Sequence, residues 1–208
     1  MTEVIKADDP RSPEKAASIL KRGGIIIYPT ETLYGIGALA SRKEAVTRVF
    51  EIKGRPHGKP IPILGRDKRM LEDVVEFNDR ASFLAEKFWP GPLTLILKGK
   101  GNLSELITAG SGKAAVRVSA SYFVARLFNL IDEPLTSTSA NLSGSDNLLE
   151  PDDIYQTFNG KVELIVDSGN IPPSKGSTVV DVTTIPPVIV RLGDIDRDDL
   201  KEFFHAGS

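Results

Sequence analysis

The sequence predicts a single α/β domain built around a mixed sheet, and three observations carry that prediction. Short, continuously apolar runs such as Ile25-Ile26-Ile27-Tyr28 and Leu93-Thr94-Leu95-Ile96-Leu97 have the length and composition of strands buried on both faces. Some runs are separated by amphipathic segments of helical spacing and others only by turns, so parallel and antiparallel neighbours should share the sheet. The 208 residues, 40% of them hydrophobic, can bury one sizeable core. No internal repeat, low-complexity tract or long linker interrupts the chain.

Taken in order, Met1 to Arg11 is polar and has no apolar centre of a signal peptide. Ser12-Pro13-Glu14 has the form of an N-cap with proline at the first helical position, and the helix should run to Gly23-Gly24. The strand Ile25–Tyr28 stops at Pro29, and a turn from Thr30 to Gly35 leads into a short strand near Ile36–Leu39. Ser41 is placed to cap a helix with Val46, Val49 and Phe50 as its apolar stripe; Lys53 continues the stripe and Gly54 ends it. Pro60–Leu64 is extended, since its prolines confine it to a strand start or an edge. Helices are expected around 68–75 and 79–87, strands over 93–97 and 114–118, a helix over 122–130, and a strand over 134–138. A helix over 151–158, a strand over 162–166, and closing strands over 177–182 and 188–192 complete the pattern.

Composition excludes several chemistries. There is no cysteine, and His57 and His205 are the two histidines, so thiol nucleophiles and cysteine-based zinc sites are ruled out and histidine-centred acid–base schemes are poorly served. A chain without cysteine needs no oxidising compartment, which makes the cytoplasm the default, and no stretch approaches the ~18–20 apolar residues of a membrane span. The formal net charge of −2 argues against a globally basic nucleic-acid binder. Local charge differs: residues 42–69 carry nine Lys/Arg against three acids. Positive charge gathered on one stretch of an acidic chain points to a small anionic ligand, although a solvated helix face would look the same.

The candidate chemistry lies in six segments. Lys53, Arg55 and Lys59 fall at a helix end and on a loop shaped by Gly54, Pro56, Gly58 and Pro60, where three cations can surround a triphosphate. Lys53 could instead serve only the helix dipole, worth ~0.3–1 kcal/mol. Arg117 stands in the apolar strand Ala114–Val118, and a guanidinium there needs an anion, either an internal carboxylate or a ligand carboxylate or phosphate. Arg191, following Val188-Ile189-Val190, poses the same question. Ser137, Thr138, Ser139 and Asn141 end a strand and read either as donors to phosphate or ribose or as a structural turn; without a nucleophile elbow or a nearby base they do not read as a nucleophile. Ser177-Thr178 offers a second hydroxyl pair. Pro29-Thr30-Glu31-Thr32-Leu33-Tyr34-Gly35 follows a buried strand directly, which is where open α/β sheets bind ligands. No G-x-x-x-x-G-K-[ST] or G-x-G-x-x-G loop is present.

Six blocks together resemble, in order, the signature of the YrdC/YciO family. They are Pro29–Gly37, Lys53-Gly54-Arg55-Pro56 with Lys59-Pro60, Trp89-Pro90-Gly91-Pro92-Leu93-Thr94, Ala115-Val116-Arg117-Val118, Ser137–Gly144 and Ser177-Thr178-Val179-Val180-Asp181. The resemblance implies a YrdC-like domain over 12–193, with 194–208 a tail or short helix, and a twisted, open α/β sheet flanked by helices around a large basic cavity. It implies the reaction of L-threonine, bicarbonate and ATP to L-threonylcarbamoyl-AMP and pyrophosphate, with magnesium carried mainly by ATP. A separate threonylcarbamoyl transferase would then modify the adenosine beside the anticodon of certain tRNAs. By motif position, Thr32, Leu64, Arg117, Ser137 and Ser177 would hold the threonine. Arg55, Lys59, Lys113, Ser139, Asn141 and Arg191 would hold ATP, and Lys53 and Arg55 would act on the reacting groups. Leu64 stands where many members have histidine, and Lys113 replaces a small hydroxyl residue. The rival reading is a YciO-type accessory protein whose basic cavity meets tRNA or double-stranded RNA; no aromatic residues interleave the basic ones as RNA stacking would need.

Overall fold

The computed structural model describes residues 1–205. Along the chain they form β1 (Glu3–Lys6), α1 (Ser12–Lys21), β2 (Ile26–Pro29), β3 (Tyr34–Gly37), α2 (Lys43–Lys53), β4 (Ile63–Leu64) and α3 (Lys68–Glu72). Then follow β5 (Val75–Glu76), α4 (Asp79–Phe88), β6 (Leu93–Gly99), α5 (Glu105–Thr108), β7 (Lys113–Arg117), α6 (Tyr122–Phe128), β8 (Leu135–Thr136) and β9 (Thr138–Ser139). The last elements are α7 (Pro151–Phe158), β10 (Leu164–Asp167), β11 (Thr178–Asp181), β12 (Val188–Arg191), a 3-10 turn (Asp198–Leu200) and α8 (Lys201–His205). Residues 206–208 of the expected tail lie outside the described residues.

Hydrogen bonding divides the strands between two open mixed sheets. One has five strands in the order β1-β10-β2-β3-β9; the other runs β12-β11-β6-β7-β4-β8, with β5 paired to β6. All four residues of β2 are buried, as the unbroken apolar run requires. The expected strand over 134–138 is two strands, and Ser137 is the residue at which the chain passes from one sheet to the other. Its amide donates to Pro62 O at 2.7 Å. The Thr136 amide bonds Ala38 O and its Oγ1 accepts from the Ala38 amide. These bonds tie the sheets at one corner, so the loops next to it face a shared space. Two apolar clusters fill the interior. The larger joins both sheets with α2, α4 and α7, and the smaller packs α1 and α6 against β2 and β10.

Several local expectations need correction. The polar amino terminus supplies an edge strand, β1, held parallel to β10 from Glu3 to Lys6. Arg42, not Ser41, is the N-cap of α2, without a side-chain cap, and Arg11 rather than Ser12 precedes α1. Ser12 Oγ instead donates to Ala7 O. The helix expected over 68–75 stops at Glu72, and Val75-Glu76 is a strand on β6. Gly54 does end α2, with φ 59° in the left-handed region where a side chain is strained.

Gly193 shows how tightly the carboxyl-terminal strands close on the loop before β11. Its amide donates to Thr178 Oγ1, and the next amide, Asp194, to Gly176 O. A Cβ at 193 would lie 2.1 Å from Gly176 O and 2.6 Å from Ser177 O, both backbone atoms that cannot turn aside. Gly193→Ala is therefore expected to cost about 1–3 kcal/mol of stability, as overpacking does. An unchanged denaturant midpoint would show that this loop yields more easily than the contacts imply.

Candidate active site

The loops at the sheet corner enclose a cavity of about 200 Å³. Among the described residues four cations line it, Arg55, Arg117, Lys175 and Arg191, together with the hydroxyls of Thr30, Thr32, Thr94, Ser137, Thr138, Ser139 and Ser177, and no carboxylate. Leu33, Leu64 and Pro62 are its apolar wall. The sheet sets part of this arrangement directly. Leu64 of β4 is in register with Arg117 of β7, so both side chains leave the same face. Their neighbour strand β6 brings Thr94, whose Oγ1 lies 2.8 Å from Ser177 Oγ.

Arg117 is the most constrained of the cations. Its side chain is 7% exposed; Nη1 donates to Thr32 Oγ1 at 3.3 Å, and Nη2 lies 3.5 Å from Glu31 Oε2. Its buried Nε has no hydrogen-bond partner among the described residues. The sequence left two partners open, an internal carboxylate or a ligand anion, and the structure supplies the first loosely while aiming the residue into the cavity. Arg191 donates through Nε and Nη2 to Ser177 O at 3.2 and 2.7 Å, and burial followed by the charge of Arg117 draws its pKa below the usual guanidinium value. Arg55 donates through Nη2 to Pro60 O at 2.6 Å, and burial lowers its pKa as well. Guanidinium groups half-satisfied by neutral carbonyls keep a net positive field for an anion.

The Thr30–Leu33 turn is built by one hydroxyl. Thr30 Oγ1 accepts from the amides of Thr32 and Leu33 and donates to Leu33 O at 2.6 Å, fixing Thr32 toward Arg117. Beneath it, Gly35 passes over the Tyr28 ring and Ser137 Oγ, where an added Cβ would be 3.2–3.4 Å from both. Tyr28 is buried, which raises its pKa.

Four sequence-predicted residues, Lys53, Asn141, Lys113 and Lys59, are not at the cavity. Lys53 is 2% exposed and its ammonium is consumed by Ser139 O, Asn141 O at 2.7 Å and Asn141 Oδ1 at 3.2 Å. Burial, then the charge of Arg55, pulls its pKa down to about 7. Its head therefore does not emerge toward a ligand; it fastens the loop that carries Ser139. Asn141 belongs to the same fastening, accepting from Ser139 Oγ at 2.6 Å and donating to Ser145 O. Lys113 is engaged with Asp181 at 3.0 Å across β6 and does not line the cavity. Lys59 is exposed on the loop beyond Arg55, to which it offers its carbonyl. Thr94, Asn147 and Lys175 line the cavity without having been singled out. Thr94 had a signal, a hydroxyl inside an apolar strand as Arg117 is a charge inside one; Asn147 and Lys175 sit on loops with none.

These features define an α/β protein with a cation-lined cleft at a junction of two mixed sheets. The Sua5/YciO/YrdC family model, described as "Telomere recombination", matches residues 18–193, and the chain belongs to that family. It is 37% identical over 188 residues to the threonylcarbamoyl-AMP synthase of Pyrococcus abyssi, covering 90% of this chain and 55% of that protein. It is 33% identical over 203 residues to the enzyme of the same name from Bacillus subtilis, covering 97% and 58%. The chain thus spans little more than half the length of these two relatives. Among solved structures, P. abyssi Sua5 complexed with L-threonine superposes with a TM-score of 0.92 at 34% identity, covering 99% of this chain and 61% of that one. Escherichia coli YciO superposes with a TM-score of 0.87 at 30% identity, covering 98% of both chains.

Proposed function

We propose that this chain is an L-threonylcarbamoyladenylate synthase, a nucleotidyltransferase that makes threonylcarbamoyl-AMP and pyrophosphate from L-threonine, bicarbonate and ATP. One observation carries the reading: the cavity is lined by four cations and seven serine and threonine hydroxyls, with no carboxylate among the described residues. Such a lining suits a reaction in which the substrates supply the nucleophile and the protein supplies position and charge neutralisation. The threonine amine takes up the bicarbonate-derived carbon with loss of water. The resulting carbamate oxygen attacks the α-phosphorus of ATP, and the P–O bond to pyrophosphate breaks.

In this reading Arg117 takes the threonine carboxylate, with Thr32, Ser137 and Ser177 bonding the amino acid against Leu64. Arg55, Ser139 and Arg191 take the phosphates, and Lys175 joins them from its loop. A cavity of about 200 Å³ is smaller than the ~300–1,000 Å³ typical of whole-ligand sites, so the amino acid fills it and the nucleotide extends across its mouth. Among the described residues no group of three or more His, Cys, Asp or Glu could hold a metal ion. In the proposed reaction magnesium would arrive on the phosphate oxygens and water of ATP. Release of the product to a separate transferase acting on tRNA belongs to the same proposal, as does a cytoplasmic setting. Among the described residues no helix is long and apolar enough to cross a membrane.

Purified protein with ATP, magnesium and bicarbonate is expected to release pyrophosphate only when L-threonine is added. L-Serine should be the poorer substrate by roughly 1–3 kcal/mol, the range available to one methyl pocket. Tight binding of double-stranded RNA with no threonine-dependent pyrophosphate would overturn the reading in favour of an accessory RNA-binding role.

A further inference from the structure

The wall of the cavity contains a carboxylate that does not face it. Glu31 lies in the turn between Thr30 and Thr32, yet its side chain lines a second cleft, together with Asp8, Ser121, Tyr122 and Arg126, while Arg117 lines the first. The two side chains meet through the wall, with Arg117 Nη2 3.5 Å from Glu31 Oε2. The same carboxylate oxygen accepts a hydrogen bond from Ser119 Oγ, and Ser119 is buried two residues beyond Arg117. The contact with Arg117 is long and single-pronged, and two buried atoms of the pair, Glu31 Oε1 and Arg117 Nε, have no partner among the described residues. A pair meant only to neutralise a buried arginine would close bidentately and use both atoms.

We propose that Glu31 is a positioning residue: anchored by Ser119, it grips Arg117 from behind and presents the guanidinium to the carboxylate of the amino-acid substrate. The inference rests on the proposed threonine reading for its ligand. Three facts support the role over a competing one. Glu31 approaches from the second cleft, so it does not occupy the place of a ligand. Its hydrogen bond to Ser119 fixes it independently of Arg117. Thr32 holds the other terminal nitrogen, so the guanidinium plane is set by two contacts from one turn. Outer groups that orient metal ligands change affinity or activity by about 10–100-fold when removed, and the same scale is expected of a carboxylate that orients a guanidinium.

The test uses Glu31→Ala and Glu31→Gln in the full chain. L-Threonine and ATP are titrated separately by calorimetry, and the Arg117 Nε–H resonance is followed by NMR. Glu31→Ala is expected to weaken threonine binding about 10–100-fold with ATP affinity unchanged. Glu31→Gln, which still accepts from Ser119 and Arg117, should recover part of the loss. The Arg117 Nε–H signal should be protected and single in the wild type and averaged in Glu31→Ala. Threonine affinity that is unchanged or tighter in Glu31→Ala would overturn the proposal and make Glu31 a bystander or a competitor. If Glu31→Ala does not fold, Glu31→Gln carries the comparison, and equal threonine affinity with an unaltered Arg117 signal then overturns it. If the wild type itself binds no threonine, the functional reading fails separately. The positioning role is then decided by the Arg117 signal alone, supported if the signal averages on removing Glu31 and refuted if it does not.

Discussion

Arg117→Lys is expected to weaken L-threonine binding about ten- to a hundred-fold while leaving ATP binding nearly unchanged. Lysine keeps the charge but not the planar fork, so the ligand loses a charged hydrogen bond worth ~1.5–3 kcal/mol, and each ~1.4 kcal/mol is tenfold in affinity. Arg117→Ala adds a second effect, because it leaves Glu31 without its cation. Removing one partner of a buried pair costs ~3–5 kcal/mol. The loss here should fall at the low end, since the pair is 3.5 Å long and Glu31 keeps its bond from Ser119. Thermal melts beside separate threonine and ATP titrations separate the effects. A large melting loss in Arg117→Lys with undiminished threonine affinity would leave Arg117 as a structural partner of Glu31 and nothing more.

How far the sequence could be read follows from what each residue depends on. Arg117 was legible because a charge inside an apolar strand of period two must face something polar, and the strand alone fixes which way it faces. The same alternation puts Lys113 on that face, yet the two are four residues apart, about 13 Å along a strand at ~3.3 Å per residue. Lys113, at the far end of β7 from Arg117, therefore reaches Asp181 of β11. The stem of Lys53 was legible from the helical stripe, but its head was not. Its acceptors are carbonyls of a loop some 86–88 positions away, which only the tertiary fold brings near. β8 and β9 have two residues each, too few to show a period, so the crossing at Ser137 is invisible until both sheets are assembled. β1 escaped notice because an exposed edge strand needs little apolar pattern; its residues are mostly exposed.

Lys53→Met should lower turnover by roughly a hundred-fold without Lys53 touching a substrate. Methionine replaces the buried stem but offers no donor, so Ser139 O, Asn141 O and Asn141 Oδ1 lose the ammonium that gathers them. Each buried acceptor left unpaired costs ~1–3 kcal/mol. The cheapest relief is for the 139–141 loop to move outward into water. That motion carries Ser139 out of the cavity wall, and a shift of about 1 Å at such a position is enough for a hundred-fold loss. Stability should fall as well, in contrast to a lysine that merely reaches a phosphate. The pH profile supplies an independent check. With a folded pKa of about 7 against the ordinary 10.5, the unfolded chain holds a proton that the fold has released between those values. Wild-type stability should therefore gain from this group as pH rises through that window. Lys53→Met lacks the group and should show a correspondingly flatter profile. A Lys53→Met protein that melts like the wild type, yet loses ATP affinity alone, would mean that the ammonium turns from the loop to the phosphates when the nucleotide binds.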